Sequence, residues 1–141
     1  MKQVDFIASL DNGYILQPKN SRLAIAEWTA SGTSLGDTPQ FIAPLHIHHN
    51  DDEAWYILEG TLGFKVGDKE IEVNANQAVV VPRGTPHTFW NPKPVTARYI
   101  IIMTSRIRSL IDAIHATEQR NLETLKELFI RYESELLELY E

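Results

Sequence analysis

The sequence predicts an all-β domain, a sandwich or closed barrel, with a helical extension at its C-terminal end. Up to about residue 104 the chain is a series of short β-branched and aromatic runs broken by Gly, Pro, Asn and Asp. Beyond that point apolar residues recur at the helical spacing of about 3.6. A further sign comes from His46, His48, Glu53 and His87, which are residue types that bind metals. They lie in two segments far apart in the chain, and a single site built from both requires a closed fold.

The first strand is expected at 13–17 (GYILQ) and the second at 22–30 (RLAIAEWTA), followed by the long loop SGTSLGDTP. Further strands are expected at 40–48, 53–59, 61–66, 69–73, 77–82, 86–91 and 94–103. Gly60, between WYILE and TLGFKV, marks a bend or hairpin, while GDKE and VNANQ mark tight connections. In PRGTP, Pro82 and Pro86 each hold φ, and Gly84 is free to adopt positive φ.

After the strands, Leu110, Ile111 and Ile114 would line one face of a first short helix. Leu122, Leu125, Leu128, Phe129, Tyr132, Leu136 and Leu137 would line a longer second one, opposed by glutamates, Lys126 and Arg131. Thr117 is placed to cap where the two meet. An isolated amphipathic tail of this kind gains little stability in water, so it is expected to pack on the barrel or on a partner subunit. The chain thus divides into a β-barrel domain, 1–104, and a helical extension, 105–141.

Composition narrows the function. With 141 residues the chain can bury a core without covalent staples. It has no Cys, so neither disulfides nor thiolate ligands are available, and any metal must sit on N and O donors. The net charge is -6, and Arg106 and Arg108 form its single small basic cluster, which disfavours a nucleic-acid partner. No apolar run reaches the roughly 18 residues of a membrane span. MKQVDFIASLDNGY lacks the apolar stretch of a secretory signal, so a cytoplasmic location is the default expectation.

His46 and His48 are two apart, which on a strand places both on one face. Ile47 faces the other way, as does His49 if the strand continues. Glu53 opens an apolar strand and shares a face with Trp55 and Ile57, where an unpaired carboxylate is costly; a cation or a hydrogen-bonded network would relieve that cost. His87 follows the PRGTP turn and shares a face with Phe89. Three neutral imidazoles and one carboxylate suit Mn, Fe, Co, Ni, Cu or Zn, and suit Ca poorly. Such a set can leave positions open for water or substrate. The competing reading is of ordinary surface histidines, and the clustering of four of the five in two turn-flanked β segments argues against it.

The two segments resemble the paired motifs of the cupin superfamily. The first, G(X)5HXH(X)3,4E(X)6G, is matched at His46, His48, Glu53 and Gly60, with Gln40 in place of the leading glycine. The second, G(X)5PXG(X)2H(X)3N, is matched at Pro82, Gly84, His87 and Asn91, with Asn76 in place of the leading glycine. The resemblance covers roughly residues 20–104 and leaves the helical tail unexplained. It implies a double-stranded β-helix (cupin or jelly-roll barrel) holding one divalent transition metal ion near its mouth, with His46, His48, Glu53 and His87 as ligands. The departures fall at turn positions, and Asn tolerates turn geometry.

Strand parity suggests a substrate-pocket lining of Trp55, Ile57, Phe64 and Phe89, with Leu62 and Val66 on the same faces, joined by Trp28 and Phe41 from neighbouring β segments. Arg98 is read either as an inward partner for an anionic substrate or as an outward solvated charge. Asn91 is read as a turn cap, and Glu59 as a pocket or rim residue. No serine nucleophile motif, phosphate loop or HExxH helix is present, so an enzyme here would rely on its metal. The expected function is a metal-dependent small-molecule enzyme, foremost a dioxygenase-like oxidoreductase. An isomerase or lyase, or a non-catalytic ligand-binding module, is the alternative. Glu53 would either ligate or shuttle a proton. The resemblance to compact cupins also implies a homodimer, with VDFIASL as a candidate exchanged strand and the tail as a candidate interface.

Overall fold

The computed structural model describes residues 6–138. Eight strands precede the helices: β1 (Leu23–Ala30), β2 (Phe41–His48), β3 (Glu53–Glu59), β4 (Thr61–Val66), β5 (Lys69–Asn74), β6 (Ala78–Val81), β7 (His87–Trp90) and β8 (Ala97–Thr104). Helices α1 (Ser105–Ala116) and α2 (Leu122–Arg131) follow, and β9 (Ser134–Glu138) closes the described chain. Two antiparallel sheets face each other, ordered β1-β8-β3-β6 and β5-β4-β7-β2-β9. This is a double-stranded β-helix with C-terminal helices.

The period-2 pattern explains the core. Along β3, Glu53, Trp55 and Ile57 are buried, and along β8 so are Ala97, Tyr99, Ile101 and Met103. Leu62 and Phe64 of β4 and Phe89 of β7 meet them from the other sheet. Gly60 does not close a hairpin, because β3 and β4 belong to different sheets. It has φ 81°, and a Cβ there would lie 3.0 Å from Ala97 Cα, so the corner needs glycine. Gly67, with φ 63°, opens the two-residue turn that pairs Val66 with Lys69. Asn76 and Gly84 take the positive φ suited to their turns, 70° and 80°. The Gly84 N–H also donates to the His48 carbonyl at 2.7 Å, tying the PRGTP turn to β2.

The chain departs from the sequence reading at three places. Residues 13–17 form no strand; Leu16 and Ile25 make one isolated bridge. The next residue on that hydrogen-bonding edge is Pro18, which has no N–H to continue the ladder. Thr117 ends α1 rather than opening α2: its N–H donates to the Ile114 carbonyl and its hydroxyl to that of Ala113. Asn121 is the N-cap of α2, its side chain accepting from the Thr124 N–H. Third, the expected long helix stops at Arg131. Glu133 takes φ 56°, the chain reverses, and β9 pairs antiparallel with β2. Residues 134–137 also fit alternation, with Ser134 and Leu136 buried and Glu135 and Leu137 exposed. The free edge of β2 decides between the two periods, because its unpaired N–H and C=O groups gain partners from a strand.

Leu110 of α1, Leu125, Leu128 and Phe129 of α2, and Leu136 of β9 form a second apolar cluster. Ile107 of α1 joins the barrel core, and β9 pairs with β2. Val4 and Asp5 of the candidate exchanged strand lie outside the described residues, and 6–10 form no strand.

Candidate metal centre

Three elements bring the four ligand candidates together. His46 and His48 share the inner face of β2, Glu53 begins β3 in the opposite sheet, and His87 begins β7 beside β2, with His46 in register with His87. All four are buried. Their candidate ligand atoms lie within 4.8 Å of one another. Nε2 of His46 is 3.1 Å from Nε2 of His48, and Glu53 Oε1 is 3.3 Å from His48 Nε2 and 3.2 Å from His87 Nε2.

Hydrogen-bond partners behind the rings assign the tautomers. His46 Nδ1 donates to the Pro44 carbonyl at 2.6 Å and His87 Nδ1 to the Thr85 carbonyl at 3.0 Å; a carbonyl only accepts, so both Nδ1 atoms carry protons. The Ser134 hydroxyl donates to the Tyr132 carbonyl at 3.3 Å, so its oxygen accepts from His48 Nδ1 at 2.7 Å. Each ring, when neutral, then turns a bare Nε2 lone pair inward, toward the others and toward a carboxylate. Lone pairs packed this closely away from water repel unless a cation, or protons on the rings, sits among them. The residues present therefore fit a metal ion, and three nitrogens with one carboxylate oxygen suit a divalent transition metal.

The electrostatics agree with this. Burial, reinforced by His87 and His48, pushes His46 down to about 3, so the ring stays neutral and able to ligate. Burial pushes Glu53 up, but hydrogen bonds from His48 and His87 outweigh it and hold the group at about 2; those bonds need protons on Nε2, the alternative to a cation among these atoms.

His46, His48 and Glu53 open onto a cavity of about 550 Å³. Trp28, Trp55 and Phe89 line it, as do Tyr99, Ile101, Ile107, Ile111 and Phe129. Phe129 of α2 sets its ring 5.5 Å from that of His46. The other expected pocket residues lie elsewhere. Ile57 and Phe64 are fully buried core side chains, and Phe64 stacks behind Phe89 at 5.4 Å. Phe41 is 36% exposed and packs on Trp90. The even-numbered positions of β2 face inward with His46, so Ile42 lines the cavity and Phe41 does not.

Arg98 points outward, paired with Glu27 at 2.9 Å and Glu59 at 3.4 Å, which also places Glu59 outside the cavity. Asn91 is buried and caps its turn: Oδ1 accepts from the Lys93 N–H and Nδ2 donates to the Ala30 and Val95 carbonyls. His49 is outside the ligand set, 3.4 Å from Glu135. Sequence reasoning missed Ser134, because the helical reading of the tail concealed it. α1 contributes Ile107 and Ile111 to the cavity wall, and α2 contributes Phe129.

Two sheets closed into a β-helix, with three imidazoles and a carboxylate converging inside, define a metal-capable barrel protein. A family model described as a cupin domain matches residues 38–103, and the chain belongs to the cupin superfamily. Oxidoreductase iacF of Pestalotiopsis fici is 30% identical over 105 residues, covering 70% of this chain and 50% of the relative. A germin-like protein (subfamily T member 2) of Arabidopsis thaliana is 31% identical over 107 residues, covering 70% and 48%. The chain thus spans about half the length of these curated relatives. A cupin protein from Bacteroides fragilis has a similar fold, with TM-score 0.57 and 10% identity over 73% of this chain and 86% of that one. No helix among the described residues is long and apolar enough to cross a membrane.

Proposed function

We propose that this protein is a metal-dependent enzyme acting on a small organic molecule, with dioxygenase-like oxidoreductase chemistry. The observation that carries this reading is the buried three-imidazole, one-carboxylate cluster open on one side to an apolar and aromatic cavity. The oxidoreductase name of one relative supports it. A redox-active divalent cation, when bound, supplies Lewis acidity and electron transfer.

The chain supplies the rest. His46, His48 and His87 would hold the ion, and the Pro44, Ser134 and Thr85 acceptors keep those rings oriented. Glu53 would either complete the set or serve as the carboxylate that takes a proton from an enolic or phenolic hydroxyl brought into the cavity. Trp28, Phe89 and Ile101 exclude water and align a flat or apolar substrate.

The test is elemental analysis of protein purified without added metal, followed by oxygen-electrode assays with catechol- and flavonol-type compounds. Iron, copper, nickel or manganese with substrate-dependent oxygen uptake supports the reading. Zinc without oxygen uptake would move the protein to the isomerase, lyase or binding class. His48→Ala should lose the metal while remaining folded, and unchanged metal content would refute the ligand assignment.

A further inference from the structure

The cavity has an apolar middle and two different polar ends. At the inner end, Tyr99 lines the wall and is almost wholly buried, yet its hydroxyl makes no hydrogen bond to any described residue. It is a donor without an acceptor, in the space that His46, His48 and Glu53 also line. Every hydroxyl-sized acceptor that enters there gains a partner that the folded chain does not provide.

At the mouth, Arg120 and His115 line the cavity from the connection between α1 and α2. Arg120 Nε donates to the Thr117 carbonyl at 3.2 Å and one Nη to the His115 carbonyl at 3.4 Å, which holds the guanidinium at the end of α1. Neither bond neutralises its charge. Arg120 pairs with no carboxylate among the described residues, and it is the arginine on the cavity wall. Its remaining N–H donors suit an oxyanion. Among the described residues Glu53 is the one acidic group on the cavity wall, and it sits at the inner end. Glu53 belongs to the ligand cluster, so the free cationic partner that the chain itself offers an anion is Arg120 at the mouth.

We infer that the cavity binds a small monocarboxylate with an aromatic or apolar body. Its carboxylate meets Arg120 at the mouth, and an oxygen function at the other end of the body accepts from Tyr99 near the metal ligands. This rests on the cavity being the substrate site, and it names the substrate class.

The experiment is calorimetric titration of the full chain with 4-hydroxyphenylacetate, phenylacetate and 4-hydroxyphenylacetamide. It is run on protein as purified and again after chelation, because a bound metal could itself favour the acid. In both states the acid should bind at least tenfold tighter than the amide. Arg120→Gln should erase that preference. Tyr99→Phe should weaken 4-hydroxyphenylacetate several-fold and leave phenylacetate unchanged. Equal binding of acid and amide, or an acid preference that survives in Arg120→Gln, overturns the inference, as does binding of none of the probes. If Arg120 only caps α1, its replacement lowers the melting temperature and leaves the acid-to-amide ratio intact, which also overturns it. Absence of oxygen uptake would sink the proposed reaction and leave this selectivity standing, so the two failures are distinguishable.

Discussion

Ser134→Ala tests whether the metal centre depends on the C-terminal strand. Ser134 is buried on β9, and its oxygen accepts from His48 Nδ1 at 2.7 Å. The substitution leaves an N–H without a partner in a buried place, at a cost of about 1–3 kcal/mol. It also frees the ring to turn or change tautomer, so Nε2 no longer faces the cluster on every visit. Loss of such an outer partner lowers metal affinity about 10–100-fold, which at about 1.4 kcal/mol per decade is the same range as the hydrogen-bond cost. The assay is competition for Co²⁺ or Zn²⁺ against a chromophoric chelator, with thermal unfolding of the metal-free proteins alongside. Ser134→Thr keeps the hydroxyl and should recover most of the affinity. Asn50→Ala removes the 2.6 Å contact between Asn50 and Glu133 at the turn into β9 without touching an imidazole, so it should leave affinity unchanged. Wild-type affinity in Ser134→Ala, or equal losses in Ser134→Ala and Asn50→Ala, would refute the reasoning.

Other perturbations test the remaining parts. Chelation should destabilise the protein, since a metal at 100 times its Kd adds about 2.7 kcal/mol to the folded state; an unchanged melting temperature argues against a resident ion. In metal-free protein, His46 titrates near 3 when folded and near its ordinary 6.5 when unfolded. Its contribution is thus complete above the unfolded value and fades as pH falls toward 3, by roughly 1.4 kcal/mol per unit once well below 6.5. The urea midpoint should fall through this window by more in the wild type than in His46→Gln, and parallel curves would exclude the assignment. Gly63→Ala should cost about 1–3 kcal/mol in chemical denaturation, because a Cβ there falls on the Trp90 indole. Leu136→Ala, which truncates the apolar side chain by which β9 joins α1 and α2, should cost about 2–5 kcal/mol, and a loss under 1 kcal/mol would mean that β9 is not docked as described.

Much of the barrel was legible because its signals are local. Alternation along β3 and β8, glycine at the β3–β4 corner and glycine in the β4–β5 turn follow from one residue's neighbours and its own φ. The ligand spacing was legible for the same reason: HIH on one strand face and PRGTPH on a rigid turn each specify a direction without reference to the rest of the chain. The pocket was only half legible. Trp28, Trp55 and Phe89 reach the cavity, but parity says which face a side chain takes and not how deep along the barrel it lies. Ile57 and Phe64 share the inward face and are sealed in the core behind the cavity.

What the sequence alone determined, then, is the β-helix and the identity of the four converging residues, because strand period and turn geometry act over a few residues. Tertiary structure decided the rest. SELLE satisfies both a helical and a strand period, and the open edge of β2 selects the strand. That choice brings Ser134 to His48, while α2 sets Phe129 beside His46 and the α1–α2 connection sets Arg120 at the cavity mouth. None of these contacts has a local signal, because each joins the tail to a barrel surface or cavity that exists only after the sheets have closed.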